Sequence, residues 1–140
     1  MKYVVLTLLI SCCFKSYSQA SLYASFFGDD ALAAANLDIR SENPGLLNYS
    51  LRGGIGVWSE WGKRNALSIP HHLTVILGKT HGLEVGASAA WRKGLGYRMR
   101  AVLGYRYQRR PSGLLIRTYV DPIHHGQFNY RFGLAIGHSF

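Results

Sequence analysis

Wherever this sequence alternates, its charges keep to one phase. Tyr97, Met99, Ala101, Leu103, Tyr105 and Tyr107 alternate with Arg98, Arg100, Val102, Gly104, Arg106 and Gln108. At the end of the chain Tyr130, Phe132, Leu134, Ile136, His138 and Phe140 alternate with Arg131, Gly133, Ala135, Gly137 and Ser139. A period of two is the signature of a strand, with successive side chains on opposite faces. One face here is large and apolar, and the other is small or charged.

The pattern recurs in segments of about ten residues separated by turn-forming residues. The first segment, Leu22–Phe27, ends at Gly28-Asp29-Asp30. In Leu32–Arg40, Ala33, Ala35, Leu37 and Ile39 oppose Asn36, Asp38 and Arg40, before the turn Ser41-Glu42-Asn43-Pro44-Gly45. A third strand sets Tyr49, Leu51, Ile55 and Val57 against Asn48, Ser50, Arg52, Gly54 and Gly56, and a polar loop, Ser59–Asn65, contains Trp61. The fourth strand is Leu67–Leu77. In the fifth, Leu83, Val85, Ala87, Ala89 and Trp91 oppose Glu84, Gly86, Ser88 and Arg92. The seventh sets Leu114, Ile116, Thr118 and Val120 against Arg117, Tyr119 and Asp121, and Asp121-Pro122 through Asn129 reads as a last loop.

Asp38, Arg40, Arg52, Glu84, Arg92, Arg98, Arg100, Arg106, Arg117, Asp121 and Arg131 all fall on the small or polar face. Once parity is chosen to suit one charge in each strand concerned, the remaining agreements amount to about a one-in-thirty coincidence. The expected fold is all-β, an eight-stranded antiparallel up-and-down transmembrane barrel. Bacterial barrels begin at eight strands, and a spanning strand needs about 9–11 residues. A basic residue on the lipid face at mid-bilayer would cost roughly 2–4 kcal/mol. A soluble lipocalin-like binding barrel is the alternative, with the apolar face inside and the charges outside. It fits less well, because the face rich in Gly, Ala and Ser suits a narrow interior. Trp91, Tyr97, Tyr105, Tyr107, Tyr130 and Phe140 stand near strand ends on the other face, as in an aromatic belt. His71 breaks the parity on the apolar face of the fourth strand, and Pro70 beside it cannot donate to a ladder. A bulge or a later strand start at Pro70 would repair both.

Charged residues are only 16% of the chain, below the roughly 25% usual for soluble domains, and mean hydropathy is near zero. Lys2 followed by the apolar run Tyr3–Ile10 and by Ser16-Tyr17-Ser18 reads as a signal peptide over residues 1–18, leaving a barrel domain over 19–140. A rival reading is a lipoprotein signal, with Leu9-Ile10-Ser11-Cys12 as lipobox. Without Lys2 and Lys15 the mature chain carries fourteen bases against seven acids.

Leu22-Tyr23-Ala24 with Phe27-Gly28, Ile69-Pro70, Leu77-Gly78-Lys79 and His81-Gly82-Leu83-Glu84-Val85-Gly86 form one set of local motifs. Gly104-Tyr105-Arg106-Tyr107-Gln108, Gly113-Leu114-Leu115-Ile116-Arg117 and Phe132–Phe140 continue it. From about Ser21 to Phe140 the chain resembles the small outer-membrane β-barrel proteins common in Bacteroidota. The resemblance implies a location in the cell outer membrane and a barrel fold, and transfers no activity. It implies recognition by the barrel assembly machinery through Tyr130, Phe132, Leu134, Ile136 and Phe140. His138 departs from it, since an aromatic residue such as Tyr is more usual there.

The inward set Arg40, Arg52, Glu84, Arg92, Arg98, Arg100, Arg106, Arg117, Asp121 and Arg131 has two readings. One is an internal ion-pair network filling a narrow barrel; the other is an anion-attracting lumen. His71-His72 and His124-His125 lack a third ligand at metal-binding spacing. Ser139 and His138 point to opposite faces and cannot form a dyad, and no phosphate loop or nucleophile elbow is present. No cofactor and no catalysis are expected. The expected partners are outer-membrane lipid and a larger envelope complex; basic charge held inside a barrel excludes nucleic acid. A structural or accessory role heads the functional readings. A narrow anion-preferring pore comes next, and a lipid-modifying enzyme last.

Cleavage after Ser18 leaves no cysteine in the mature chain. Intact-mass spectrometry and maleimide labelling of envelope-extracted protein should find Gln19 first and no thiol. A lipid-modified Cys12 is the contrary result.

Overall fold

The computed structural model describes residues 18–28, 31–58, 65–109, 111–124 and 128–140. The signal segment with Cys12 and Cys13, the Asp29-Asp30 pair, most of the Ser59–Asn65 loop including Trp61, and His125 lie outside them. Eight strands follow in chain order: β1 (Ser18–Phe26), β2 (Ala33–Ser41), β3 (Leu47–Trp58), β4 (Ala66–Gly78), β5 (His81–Arg92), β6 (Gly96–Gln108), β7 (Gly113–His124) and β8 (Phe128–Ser139). Each pairs antiparallel with its neighbours, and β8 returns to β1 to close the barrel. The closing seam pairs Ser21 with Ser139 and Phe26 with Leu134, and the Phe140 amide donates to the Ala20 carbonyl at 2.8 Å.

Period two becomes inside and outside as expected, with polarity inverted relative to a soluble barrel. Leu51, Leu73, Leu103 and Phe132 are exposed outside, whereas Asp38, Arg40, Glu84, Arg106 and Gln108 are buried inside. The lipocalin-like alternative fails on this point, because the face turned to the surroundings is the apolar one. Both chain ends of the barrel lie at one rim. There only Lys79 and Thr80 separate β4 from β5, and Gly78 turns at φ +120°. At the opposite rim, residues 93–95 join β5 to β6.

Three local expectations need correction. The segment Asp121–Asn129 is not all loop: β7 runs to His124, β8 begins at Phe128, and Asp121 pairs with Arg131. The first strand begins at Ser18, not Leu22, because Gln19 and Ser21 extend the inward polar row. At Pro70 there is neither bulge nor late start. The β3–β4 pairing stops at Gly53–His71 and resumes at Gly56–Ser68 in unchanged register, while Pro70 still pairs with Ala90 on β5. His71 therefore stays on the outer wall, edge-on to Tyr97 at 5.9 Å between ring centres.

Glycines make room for the buried ring of Tyr119. A Cβ at Gly28 would lie 2.4 Å from Tyr119, and one at Gly133 would lie 2.2 Å from it. Only a residue without a side chain lets the ring lie flat against the wall at those points. Gly133→Val should force Tyr119 aside and destabilise the barrel by about 1–3 kcal/mol. Urea titration of the folded, heat-modifiable band measures the loss, and adding Tyr119→Leu should recover part of it.

Candidate functional site: the charged lumen

Inward parity brings the predicted charges together in layers stacked along the barrel axis. In an eight-stranded ring, strands four apart face each other across the interior. Near the rim that holds the chain ends, Arg40 on β2 reaches Gln108 on β6 at 3.1 Å and the Gly78 carbonyl at 2.7 Å. Gln108 in turn donates to Gln19 Oε1 at 2.7 Å and to Ser21 at 3.3 Å, and Ser21 donates to Ser139 at 3.0 Å. The seam between β1 and β8 is thus tied from inside to β6, three strands away from β1.

The next layer is ionic. Arg106 on β6 spans the interior to Asp38 on β2 and also binds Glu84 on β5 at 3.1 Å. Arg117 on β7 pairs with Glu84 through Nε, and Ser50 on β3 donates to Asp38. Each carboxylate therefore accepts from two side chains on different strands. A carboxylate taken out of water stays ionised only with such partners, since desolvation of an ion costs several kcal/mol. Arg106, Asp38 and Glu84 are each about 1% exposed, so no water replaces a lost partner.

Above this lies an aromatic and cationic layer. Arg52 on β3 contacts the His72 ring and donates to the Tyr23 hydroxyl at 2.7 Å. Its guanidinium lies 5.7 Å from the ring centres of both Tyr23 and Tyr119, the second on the facing strand β7. Arg117 sits 4.4 Å from the Tyr119 ring centre, and His72 meets the same ring edge-on at 6.4 Å. Towards the far rim Trp58 is buried, with Arg92 at 3.7 Å and Arg131 at 4.3 Å from its ring centre.

All ten predicted lumen residues face inward. Arg40, Arg52, Glu84, Arg92, Arg106, Arg117 and Asp121 are buried, and Arg98, Arg100 and Arg131 are half-buried. The five residues of the expected assembly signal, Tyr130, Phe132, Leu134, Ile136 and Phe140, face outward and exposed. His138 shares their face, 5.0 Å from the Phe140 ring centre, whereas Ser139 is buried. Trp58, Tyr23, His72, Tyr119 and Gln108 complete the lumen. Sequence patterning places Tyr119 and Gln108 on the inward phase without assigning either a role and does not single out Trp58, Tyr23 or His72 there, because the contacts that matter join different strands.

No family model matches the sequence, and no curated protein matches it. Among solved structures, the chain is similar to the crystal structure of the N-terminal β-barrel domain of Pseudomonas aeruginosa OprF, with a TM-score of 0.51 and 12% identity. The match covers 88% of this chain and 96% of that one. At such identity the likeness carries the fold: the chain is a closed eight-stranded barrel of the outer-membrane type.

The layered lumen makes Glu84, which is shared by Arg106 and Arg117, a sensitive position. Glu84→Gln leaves Arg106 and Arg117 without their shared carboxylate and should cost about 3–5 kcal/mol. Arg98→Gln, at a half-buried position, should cost far less. Tryptophan fluorescence during urea unfolding in detergent compares the two.

Proposed function

We propose that the protein is an integral outer-membrane barrel with a structural or accessory role in an envelope complex, and that it performs no catalysis. One observation carries the reading: facing walls are joined across the lumen in successive layers, by Arg40 to Gln108, Arg106 to Asp38, and Arg52 to Tyr119. Such a lumen is a packed core, not a conduit. The wall is then the working surface. Its strands are 9–13 residues long, enough to span a hydrocarbon layer. Aromatic residues flank it at both rims, with Tyr97 and Tyr130 at one and Tyr49, Tyr105 and Phe140 at the other. The short turns at Lys79-Thr80 and residues 93–95 offer little to bind a partner, which favours contact through the wall.

The outward row Tyr130, Phe132, Leu134, Ile136 and Phe140 suits recognition by the barrel assembly machinery before closure against β1. A narrow anion-preferring pore is the second reading, favoured by eight inward arginines against three inward acids, Asp38, Glu84 and Asp121.

Planar-bilayer recording decides between the two. The wild type should show no conductance steps, and the double variant D38A/R106A, which removes one whole cross-lumen pair, should admit ions. Steps in the wild type would favour the pore. Mild-detergent pull-down with mass spectrometry should recover a larger envelope protein; a barrel that purifies alone counts against the accessory role.

A further inference from the structure

A groove with a volume of about 760 Å³ crosses the outer wall from β5 to the end of β1. It runs between two outward rows set by register: Leu103, Val120 and Phe132 on one side, Tyr105, Thr118 and Leu134 on the other. Its floor is the row Gly104–Tyr119–Gly133, of inward phase, which turns its backbone outward. Leu83 lies at one end, close to the rim of the chain ends, and Phe27 lies at the other, just past β1 at the far rim. The groove therefore descends obliquely through the wall, and Thr118, short and exposed, leaves its middle open.

At the rim of the chain ends the groove meets a polar cluster on the same face. Tyr105, which lines the groove, is hydrogen-bonded through its hydroxyl to Nδ1 of His81 at 2.6 Å. The Tyr107 ring centre lies 5.1 Å from that of His81. Directly beyond, the Gln108 amide donates to the Thr80 carbonyl at 2.8 Å and draws two neighbouring turns together. Lys79 and Arg109 are the next residues on either side of that bond. Both are exposed, and neither has an ion-pair partner among the described residues. The Arg109 stem is seated over Gly113, where an added Cβ would lie 3.3 Å from its Cδ.

Two cations, then a girdle of histidine and tyrosine, then an apolar groove: this order down the wall matches the order of groups in an anionic phospholipid. Phosphate attracts Lys and Arg at a membrane surface, rings with a polar edge settle at headgroup level, and hydrocarbon fills an apolar recess. The recess is also within the roughly 300–1,000 Å³ of small-molecule sites. We propose that the groove and the rim above it bind one molecule of an anionic glycerophospholipid, its phosphate at Lys79 and Arg109 and an acyl chain along the groove over Thr118. Cations without a counter-charge at the head of the groove favour a charged lipid over the apolar side chains of a neighbouring protein. The site rests on the wall facing a bilayer and does not depend on the accessory role.

Native mass spectrometry of the full mature chain, folded and delipidated in detergent, tests the site. Titrated with phosphatidylglycerol or with phosphatidylcholine of the same chains, the wild type should retain one phosphatidylglycerol about tenfold more tightly. K79Q/R109Q should bring the two lipids level, whereas K93Q, at the far rim, should leave the preference intact. Thr118→Phe, which fills the groove from an exposed position, should weaken retention of phosphatidylglycerol. Heat-modifiable migration establishes that each variant is folded, and K79Q alone, with an intermediate loss, serves if the double variant is not.

Equal retention of both lipids by the wild type, an undiminished preference in K79Q/R109Q, or full retention by Thr118→Phe would overturn the proposal. Any of these results from a folded barrel leaves the accessory role to the pull-down, so the two readings fail separately.

Discussion

The structure depends on Arg106. A closed barrel with an apolar exterior turns the usual arrangement inside out, so its interior must be held together by polar groups. Burying them is favourable only when each finds a partner. Arg106 meets that requirement across the full width of the lumen. It links the β6 wall to Asp38 on the β2 wall and reaches Glu84 on the way. Arg117 and Ser50 then complete the two carboxylates, so that five strands share one ionic layer. Buried ion pairs are weak evidence of stability in themselves, yet removing one member strands the others. The layer therefore acts as a unit that specifies which strands face each other.

Around that layer the side chains change chemistry with depth. Amides and hydroxyls close the end where β1 and β8 meet the outside, and aromatic rings and cations fill the middle of the remaining length. The Tyr119 ring is the hinge of this change. It takes Arg52 from one wall and Arg117 from its own strand, and it rests where glycines have no side chain to obstruct it. Rigid ring and missing side chains are complementary, so the narrow bore is filled without bending a strand.

Much of this was legible in the sequence because period two is a purely local property. Eight segments, their turns, the inward set of charges and the outward row of the last strand all follow from alternation and from the cost of a charge on an apolar face. Cross-lumen partnership was not legible. Nothing in the spacing of Asp38 and Arg106 says that they touch; that follows only once strand number and closure set which walls oppose. The extent of β7 is hidden in the sequence for a different reason. Asp121-Pro122 has the composition of a turn, but pairing with Arg131 and Tyr130 on β8 overrides local preference. Tyr119 is visible in the sequence only as an inward letter and Trp58 is not singled out at all, since a ring's value lies in the cations that approach it in the closed barrel.

The interruption between β3 and β4 has a mechanical meaning. The pairing lapses beside Pro70, then resumes without any change of register. A bulge would have absorbed an extra residue and altered the tilt of every strand beyond it; a lapse without a shift alters none. The wall is therefore locally loosened but globally in step. Under lateral stress β3 and β4 can part at this point without sliding past each other, and the continued pairing of Pro70 with Ala90 holds the other edge closed. The fault behaves as a slot in the staves of a cask: a place of compliance that leaves the circumference unchanged.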